Sequence, residues 1–192
     1  MARAGVLMRV VPVDQDHNLF VVTDLVSSAL LGKILSTPWM KLKFQRQPGQ
    51  ENWLRRRIDD QELPWLDLWQ QEISAQWPNL EEQIQIKLQP YFGTAFWIDE
   101  PGFTCGIHTD GEMPGSLHTS WIGDPKLGTT FYHSKHADHV RYRHDFLPNS
   151  GYAMINMPDS GGYRLLQWHG MLEPVPNDSF RLTSYTWLSP VK

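Results

Sequence analysis

Cysteine and long hydrophobic runs are almost missing from this chain, and each shortage excludes a class of protein. Cys105 is the single cysteine among 192 residues, which rules out an internal disulfide and fits a reducing compartment. No stretch approaches the roughly 20 apolar residues that span a bilayer, and Arg9 and Pro12 interrupt the first apolar run. We therefore expect no membrane segment and no secretory signal, and we predict a cytoplasmic protein.

Positive charge is also scarce. The chain has 17 Lys and Arg residues against 21 Asp and Glu, a net charge of −4, whereas a nucleic-acid-binding surface needs a basic patch. The one basic run, Arg55–Arg57, is followed at once by Asp59 and Asp60, so we predict a solvated helix face there. Tryptophan, in contrast, is abundant: there are nine, and most are expected in the core or lining a cleft.

The length predicts one domain, residues 1–192. The sequence pattern divides it into an N-terminal region that supports the sheet and a C-terminal β-rich core. Residues from about 1 to 90 are predicted to mix short strands with helices. The strands are Leu7–Val13, Asn18–Val22 and, weakly, Trp39–Phe44; one helix follows Thr23–Asp24 and ends before Pro38, and two more begin near Pro64 and Pro78.

Residues from about 91 to 188 change to β-forming residues separated by glycine- and proline-rich turns. The predicted strands are Tyr91–Ile98, Ser116–Ile122, Thr129–His133, Gly151–Met157, Leu165–Leu172 and Phe180–Leu188. Short strands at regular spacing predict a sandwich or barrel. The fold class is then α+β, mainly β.

The stretch His108-Thr109-Asp110 places an imidazole and a carboxylate two positions apart. In an extended segment such side chains point the same way and can contact one metal ion. Two histidines and one carboxylate on one side of an ion form the arrangement that non-haem Fe(II) oxygenases use. His136-Ala137-Asp138 has the same form, but it lies in a polar run that is typical of a surface loop.

The second imidazole has to come from another strand, and His169 is the best candidate. A lone histidine in an apolar strand is often a core residue. Twelve residues later, however, Arg181 opens an otherwise uncharged strand, where a buried cation needs an anion. Arg181 and Thr183 share one face of that strand and suit a carboxylate, because guanidinium binds it bidentately.

A different metal site is possible at His133, His136 and His139, which recur at three-residue spacing. Structural zinc sites usually contain cysteine pairs, and this segment has none and little helical character. A plain polar loop is the favoured interpretation.

At this point the chain resembles a known family. From about Tyr91 to Leu188 it resembles the 2-oxoglutarate- and Fe(II)-dependent oxygenases, and within them the prolyl 4-hydroxylase-like branch. The landmarks, in order, are His108-Thr109-Asp110, Leu127-Gly128-Thr129-Thr130-Phe131, Leu147-Pro148-Asn149-Ser150-Gly151, Trp168-His169-Gly170, Glu173-Pro174-Val175 and Phe180-Arg181-Leu182-Thr183.

The resemblance implies a double-stranded β-helix, or jelly roll, with iron at its mouth. By analogy His108, Asp110 and His169 ligate Fe(II), and Arg181, assisted by Thr183, pairs with the far carboxylate of the cosubstrate 2-oxoglutarate. The implied reaction uses O2, converts 2-oxoglutarate into succinate and CO2, and hydroxylates a C–H bond. The substrate, a small molecule or a protein side chain, is not identified, because specificity lies in loops and added helices.

Two departures from the family pattern affect this interpretation. Prolyl hydroxylases usually have lysine where this chain has Arg181, and the glycine pair before the Thr-x-Phe strand is here Leu127-Gly128. Two other functions therefore stay open: a non-catalytic jelly-roll binding module, and a cupin-type metalloenzyme that uses no 2-oxoglutarate.

Several further side chains are candidates for the pocket, and packing in the core is at least as good an explanation for each. Trp97, Phe103 and Trp121 are candidates for lining the cosubstrate pocket, and Tyr91 or Tyr185 for donating to its carboxylate. Asn156 lies in an apolar strand and needs partners if buried.

Overall fold

The computed structural model describes residues 7–13, 18–45, 54–110, 113–156 and 167–191. These contain eleven β-strands and two α-helices. The strands are β1 (Arg9–Pro12), β2 (Leu19–Thr23), β3 (Arg55–Arg57), β4 (Thr94–Asp99), β5 (Cys105–His108), β6 (Gly115–Ile122), β7 (Thr129–Tyr132), β8 (Val140–His144), β9 (Ser150–Ile155), β10 (Trp168–Met171) and β11 (Arg181–Trp187); the helices are α1 (Ser28–Ser36) and α2 (Leu66–Ile84).

The strands form two antiparallel sheets. The larger has the order β1-β2-β9-β6-β11-β4-β3, and the smaller has the order β5-β10-β7-β8. From β4 onward the chain repeatedly crosses from one sheet to the other, so that β4, β6, β9 and β11 face β5, β7, β8 and β10. This is a double-stranded β-helix, and the predicted mainly β jelly roll is confirmed. Three strands from the first 90 residues extend the larger sheet.

The two helices cover the outer face of the larger sheet. The first begins at Ser28 rather than after Thr23–Asp24, because the Ser27 hydroxyl caps it by accepting a hydrogen bond from the Leu30 N–H at 3.2 Å. Glu72 of α2 in turn accepts from the Ser27 hydroxyl at 2.6 Å and joins the two helices. Within the described parts of the chain, neither helix is long and apolar enough to cross a membrane.

The helix predicted to start near Pro64 begins at Leu66, but the prediction of a second helix starting near Pro78 was wrong. α2 is one helix of 19 residues with Pro78 inside it. Proline removes one intrahelical hydrogen bond, but burial of a continuous stripe offsets that loss. The buried residues of the stripe are Trp69, Ile73, Trp77, Leu80 and Ile84.

Three strand assignments were also wrong or missed. Trp39–Phe44 is mostly a 3-10 turn over Trp39–Lys41, with only Phe44 bridging to Ile58. Arg55–Arg57, predicted to be a helix face, is the edge strand β3 and pairs with β4. Strand β8 was not predicted. The partners of Phe44 and of β3 lie further along the chain, where local patterns do not report them. β8 pairs with the preceding strand β7, but its composition is mostly polar, since it carries Arg141, Arg143 and His144.

The other predicted strands occur close to their expected limits. Residues 14–17, 47–50 and 158–162, whose composition predicts turns, lie outside the described residues, as do positions 165 and 166 of the predicted strand Leu165–Leu172.

Tryptophans fill the core between α2 and the larger sheet, as the composition predicted. Trp69 is fully buried and contacts Phe96 and Trp121 edge-on, with ring centroids 4.9 and 5.3 Å apart. The Trp121 indole N–H donates to the Ser184 hydroxyl at 3.0 Å. This aromatic layer supports the strands that carry the polar site on the opposite face.

Gly151 of β9 lies where no side chain fits. A Cβ atom there would overlap the backbone carbonyl oxygen of His118 in β6. We expect Gly151→Ala to lower the free energy of unfolding by about 1–3 kcal/mol, as overpacking does. Gly32→Ala is the control, because nothing lies within 4 Å of a Cβ on this helical glycine and alanine favours helix by about 1 kcal/mol. Urea denaturation of both variants measures the difference; a Gly151→Ala protein as stable as Gly32→Ala contradicts the overlap.

Candidate functional site

Three predicted ligand side chains meet at the inner face of the smaller sheet. His108 ends β5, Asp110 follows two residues later, and His169 lies in β10. Because β5 and β10 are antiparallel neighbours, His108 and His169 are direct cross-strand partners. Their rings lie 4.4 Å apart between centroids. The sheet register therefore brings together residues about 60 positions apart in sequence.

The three side chains form a group with the dimensions of a metal site. One ligand atom from each lies within 4.8 Å of the others, and no further group of this kind occurs among the described residues. Asp110 Oδ1 is 3.5 Å from His108 Nε2 and 3.8 Å from His169 Nε2. The donor set, two imidazoles and one carboxylate, is the facial triad that suits Fe(II).

Backbone carbonyls orient both imidazoles. His108 Nδ1–H donates to the Gly106 carbonyl at 2.8 Å, and His169 Nδ1–H donates to the Gln167 carbonyl at 2.9 Å. With Nδ1 of each ring hydrogen-bonded to the backbone, Nε2 is the nitrogen that faces Asp110 and that a metal ion would use. Such outer hydrogen bonds are what metal-ligating histidines use to fix the ring and the tautomer, so the residues fit a metal ion.

The electrostatics of the site favour a cation. Burial lowers the pKa of His169 to about 4, which leaves its ring neutral at pH 7. The Asp110 carboxylate raises the pKa of His108 to about 10. Burial opposes ionisation of Asp110, but the neighbouring His108 and His118 outweigh it and hold the pKa of that carboxyl well below its usual range. In this arrangement the proton on His108 occupies the position that a metal ion would take.

His118 of β6 is a fourth polar side chain at this site, and sequence reasoning missed it. Its Nε2 lies 3.7 Å from Asp110 Oδ2, an oxygen with no hydrogen-bond partner among the described residues. Tyr152 stacks on the His118 ring at 4.9 Å and Tyr185 contacts it edge-on at 4.7 Å. The signal in β6 was incomplete: Ser116, His118 and Ser120 share one face, but Thr119 on the other face breaks the alternation of polar and apolar residues.

The other histidine-rich segment forms a surface loop. His133, His136, Asp138 and His139 are all exposed, and His139 Nε2 lies 3.9 Å from Asp138 Oδ1. The zinc site considered there gains no support, because the described residues of this loop do not converge on one point.

A cavity of about 370 Å³ opens beside the triad. Alternate residues of β11 line its length, namely Arg181, Thr183, Tyr185 and Trp187, as expected for one face of a strand. The space is large enough for a small organic ligand. Tyr185 contacts His118, which lies beside Asp110 of the triad. Arg181 lies about 13 Å from Tyr185 along the extended strand, so the cavity joins a cationic end to the triad.

Arg181 already has an anionic partner in this structure. Its Nη1 lies 2.8 Å from Oδ2 of Asp99, a carboxylate with no exposed surface. Arg55 of β3 approaches the same carboxylate, with Nε 3.1 Å from Oδ1. Neither Arg55 nor Asp99 was predicted to belong to the site. Asp99 comes directly after the predicted strand Tyr91–Ile98, and three consecutive arginines carry no periodic signal.

The remaining candidates divide between cavity and core. Trp97 and Tyr185 line the cavity, whereas Trp121 is in the core. Tyr91 does not line the cavity, and its hydroxyl forms a hydrogen bond of 3.0 Å with the Thr94 hydroxyl. Phe103 contacts the Arg55 guanidinium at 5.4 Å. Thr129 and Tyr152, whose hydroxyls bond at 3.1 Å, are among the lining residues that were not assigned to the pocket from the sequence. Buried Asn156 donates to the Met113 carbonyl at 2.9 Å.

Comparison with known proteins identifies the fold. No family model matches the chain, and no curated protein matches it either. Among solved structures, a prolyl hydroxylase from Trichoplax adhaerens, in complex with a hypoxia inducible factor oxygen degradation domain peptide, superposes with a TM-score of 0.61 at 8% identity over 90% of this chain and 84% of its own. The viral collagen prolyl hydroxylase of Paramecium Bursaria Chlorella virus-1, in its 2OG complex, superposes with a TM-score of 0.61 at 10% identity, covering 91% of this chain and 97% of its own.

A third structure has a different activity in its name. SnoN, the non-heme alpha ketoglutarate dependent epimerase from nogalamycin biosynthesis, superposes with a TM-score of 0.57 at 10% identity, covering 88% of this chain and 76% of its own. The low identities limit these matches to architecture. The chain therefore has the jelly-roll fold shared by prolyl hydroxylases and this alpha-ketoglutarate-dependent epimerase.

Proposed function

We propose that this protein is a 2-oxoglutarate-dependent, non-haem Fe(II) dioxygenase that hydroxylates a C–H bond of its substrate. One observation carries the proposal: a His-Asp-His triad and a pair of arginines line the same cavity. The triad suits Fe(II), and the arginines suit a carboxylate. The shared fold adds support.

In this proposal His108, Asp110 and His169 hold the iron. When bound, iron, 2-oxoglutarate and O2 supply the oxidation: the cosubstrate becomes succinate and CO2, and one oxygen atom enters the substrate C–H bond. The Gly106 and Gln167 carbonyls keep both imidazoles oriented. The protein's contribution is to fix this coordination and exclude competing reactions.

Arg181 and Thr183 are proposed to bind the far carboxylate of 2-oxoglutarate. Both are buried and line the cavity. Because Arg181 and the triad line the same cavity, a short dicarboxylate lying in it would contact both.

The opposite end of the cavity is proposed to receive the substrate, a small molecule or a protein side chain. Trp187 lines this end and stacks at 5.9 Å on Phe92, which is 63% exposed. Met113 and Tyr185 line the same cavity. An aromatic and thioether rim favours an uncharged, apolar group at the reacting position.

One observation favours a second candidate, the cupin-type metalloenzyme that uses no 2-oxoglutarate. Arg181 is paired with Asp99, so its burial alone does not require an external carboxylate. A non-catalytic jelly-roll binding module would likewise need neither iron nor turnover.

Two measurements separate these functions. Protein loaded anaerobically with Fe(II) is expected to develop a visible charge-transfer absorption when 2-oxoglutarate is added, and to form succinate slowly once O2 is admitted, even without the substrate. Asp110→Ala is the control and should give neither signal. Iron binding without the absorption would favour the cupin-type function, and absence of iron binding would favour the binding module.

A further inference from the structure

A net positive charge remains at the arginine end of the cavity after Arg55 and Arg181 have paired with Asp99. Arg181 is 7% exposed and Asp99 is fully buried, and the Arg55 side chain is 26% exposed. Two guanidinium groups therefore share one carboxylate. A buried charge without a counter-ion is unfavourable, so this end of the cavity is suited to one more anion.

The three charged residues form a row across neighbouring strands. Asp99 of β4 is the direct cross-strand partner of Arg55 in β3 and of Arg181 in β11. Side chains at such paired positions lie on one face of the sheet. Both arginines line the cavity, whereas Asp99 has no exposed surface and so lies behind them.

Arg55 is held in place by contacts on several sides. Its guanidinium lies 5.4 Å from the ring centres of both Trp97 and Phe103, and its Nη2 donates to Thr183 Oγ1 at 3.4 Å. It thus reaches across β4 to the cavity face of β11. Arginine retains its charge and stacks on aromatic rings in this way.

Arg181 is oriented in a similar way. Its guanidinium lies 4.8 Å from the Phe146 ring centre, and its Nε has no hydrogen-bond partner among the described residues. Donor capacity is therefore left over in a side chain that is more than nine-tenths buried.

We propose that Arg55 and Arg181 together form a two-arginine site for the far carboxylate of the cosubstrate, with Asp99 as the positioning residue that binds both. This inference rests on the proposed 2-oxoglutarate-dependent function. It assigns a cosubstrate-binding residue to the edge strand β3, outside the jelly-roll strands.

The test compares Arg55→Gln with Arg56→Gln in iron-loaded protein under anaerobic conditions. Arg56 is the next residue on β3, but it is directed to the surface, where its Nη2 pairs with Glu100 at 3.0 Å. We expect Arg55→Gln to weaken 2-oxoglutarate binding about 10- to 100-fold, the effect of losing a charged hydrogen-bond donor, while Arg56→Gln leaves it unchanged. Arg55→Lys, which keeps the charge, should fall between wild type and Arg55→Gln.

Pyruvate distinguishes carboxylate binding from a general structural role. It has the keto acid end of 2-oxoglutarate but lacks the far carboxylate, so Arg55→Gln should leave pyruvate binding unchanged. If Arg55→Gln weakens the binding of pyruvate and of 2-oxoglutarate equally, or leaves 2-oxoglutarate binding unchanged, the two-arginine site is overturned. In either case, 2-oxoglutarate binding by the wild-type protein would still support the proposed function. If wild-type protein binds iron but not 2-oxoglutarate, both proposals are wrong.

Discussion

His108→Ala is expected to lower the affinity for Fe(II) by more than about 100-fold, since even outer hydrogen-bond partners of metal ligands contribute 10- to 100-fold. The reason is geometric: His108 Nε2 lies 3.5 Å from Asp110 Oδ1 and opposite His169 in the β5–β10 pairing. Its loss leaves one imidazole and one carboxylate. Anaerobic calorimetric titration with Fe(II) measures the change.

His136→Ala is the matched control for this prediction. The sequence around His136 has the same His-x-Asp form, but its side chain is exposed on a surface loop. The substitution should leave iron affinity within about twofold of wild type, because surface changes away from a site have small effects. Loss of iron binding in His136→Ala, with retention in His108→Ala, would show that the other motif holds the metal.

Asp99→Asn is expected to reduce the free energy of unfolding by about 3–5 kcal/mol, the usual consequence of removing one partner from a buried ion pair. Asparagine keeps the size and one acceptor oxygen, so the variant isolates the lost charge. Arg55 and Arg181 would then lie side by side without the carboxylate that both contact. Urea denaturation at neutral pH measures the loss.

Two further variants make this prediction specific. Asp99→Leu combined with Arg55→Met and Arg181→Met should recover most of the stability, because replacing all members of a buried ion cluster by apolar residues is often neutral. Glu100→Gln removes the adjacent carboxylate, whose partner Arg56 is on the surface, and should change stability by less than about 1 kcal/mol. Equal losses in Asp99→Asn and Glu100→Gln would contradict a special role for the buried carboxylate.

The triad shows how far local patterns reach. His108 and Asp110 were predicted as ligands because side chains two positions apart in a strand point the same way. His169 was predicted as a ligand because it precedes the strand of Arg181 and matches the family pattern. The structure brings these three side chains together, whereas the hypothesis of a zinc site at His133, His136 and His139 gains no support. His118 was missed, since its approach to Asp110 depends on how β6 faces the smaller sheet.

The arginines show where local patterns end. Arg181 was predicted to seek an anion, and burial of this residue agrees with that, but its contact in this structure is Asp99. Arg55 was assigned to a helix face because neighbouring acidic residues suggested a solvated surface. Its actual environment is set by pairing with β4, about 40 residues further along the chain.

By itself, the sequence determined a mainly β fold, most strands of its core and the residues of the candidate triad. Periodicity, turn residues and chemical type predicted a sandwich or barrel, and the family resemblance narrowed this to a jelly roll. Only the tertiary structure decided that α2 continues through Pro78, that His118 lies beside Asp110, and that Arg55, Asp99 and Arg181 form one row. Strand register decides such contacts, because hydrogen bonding between distant segments determines which side chains become neighbours.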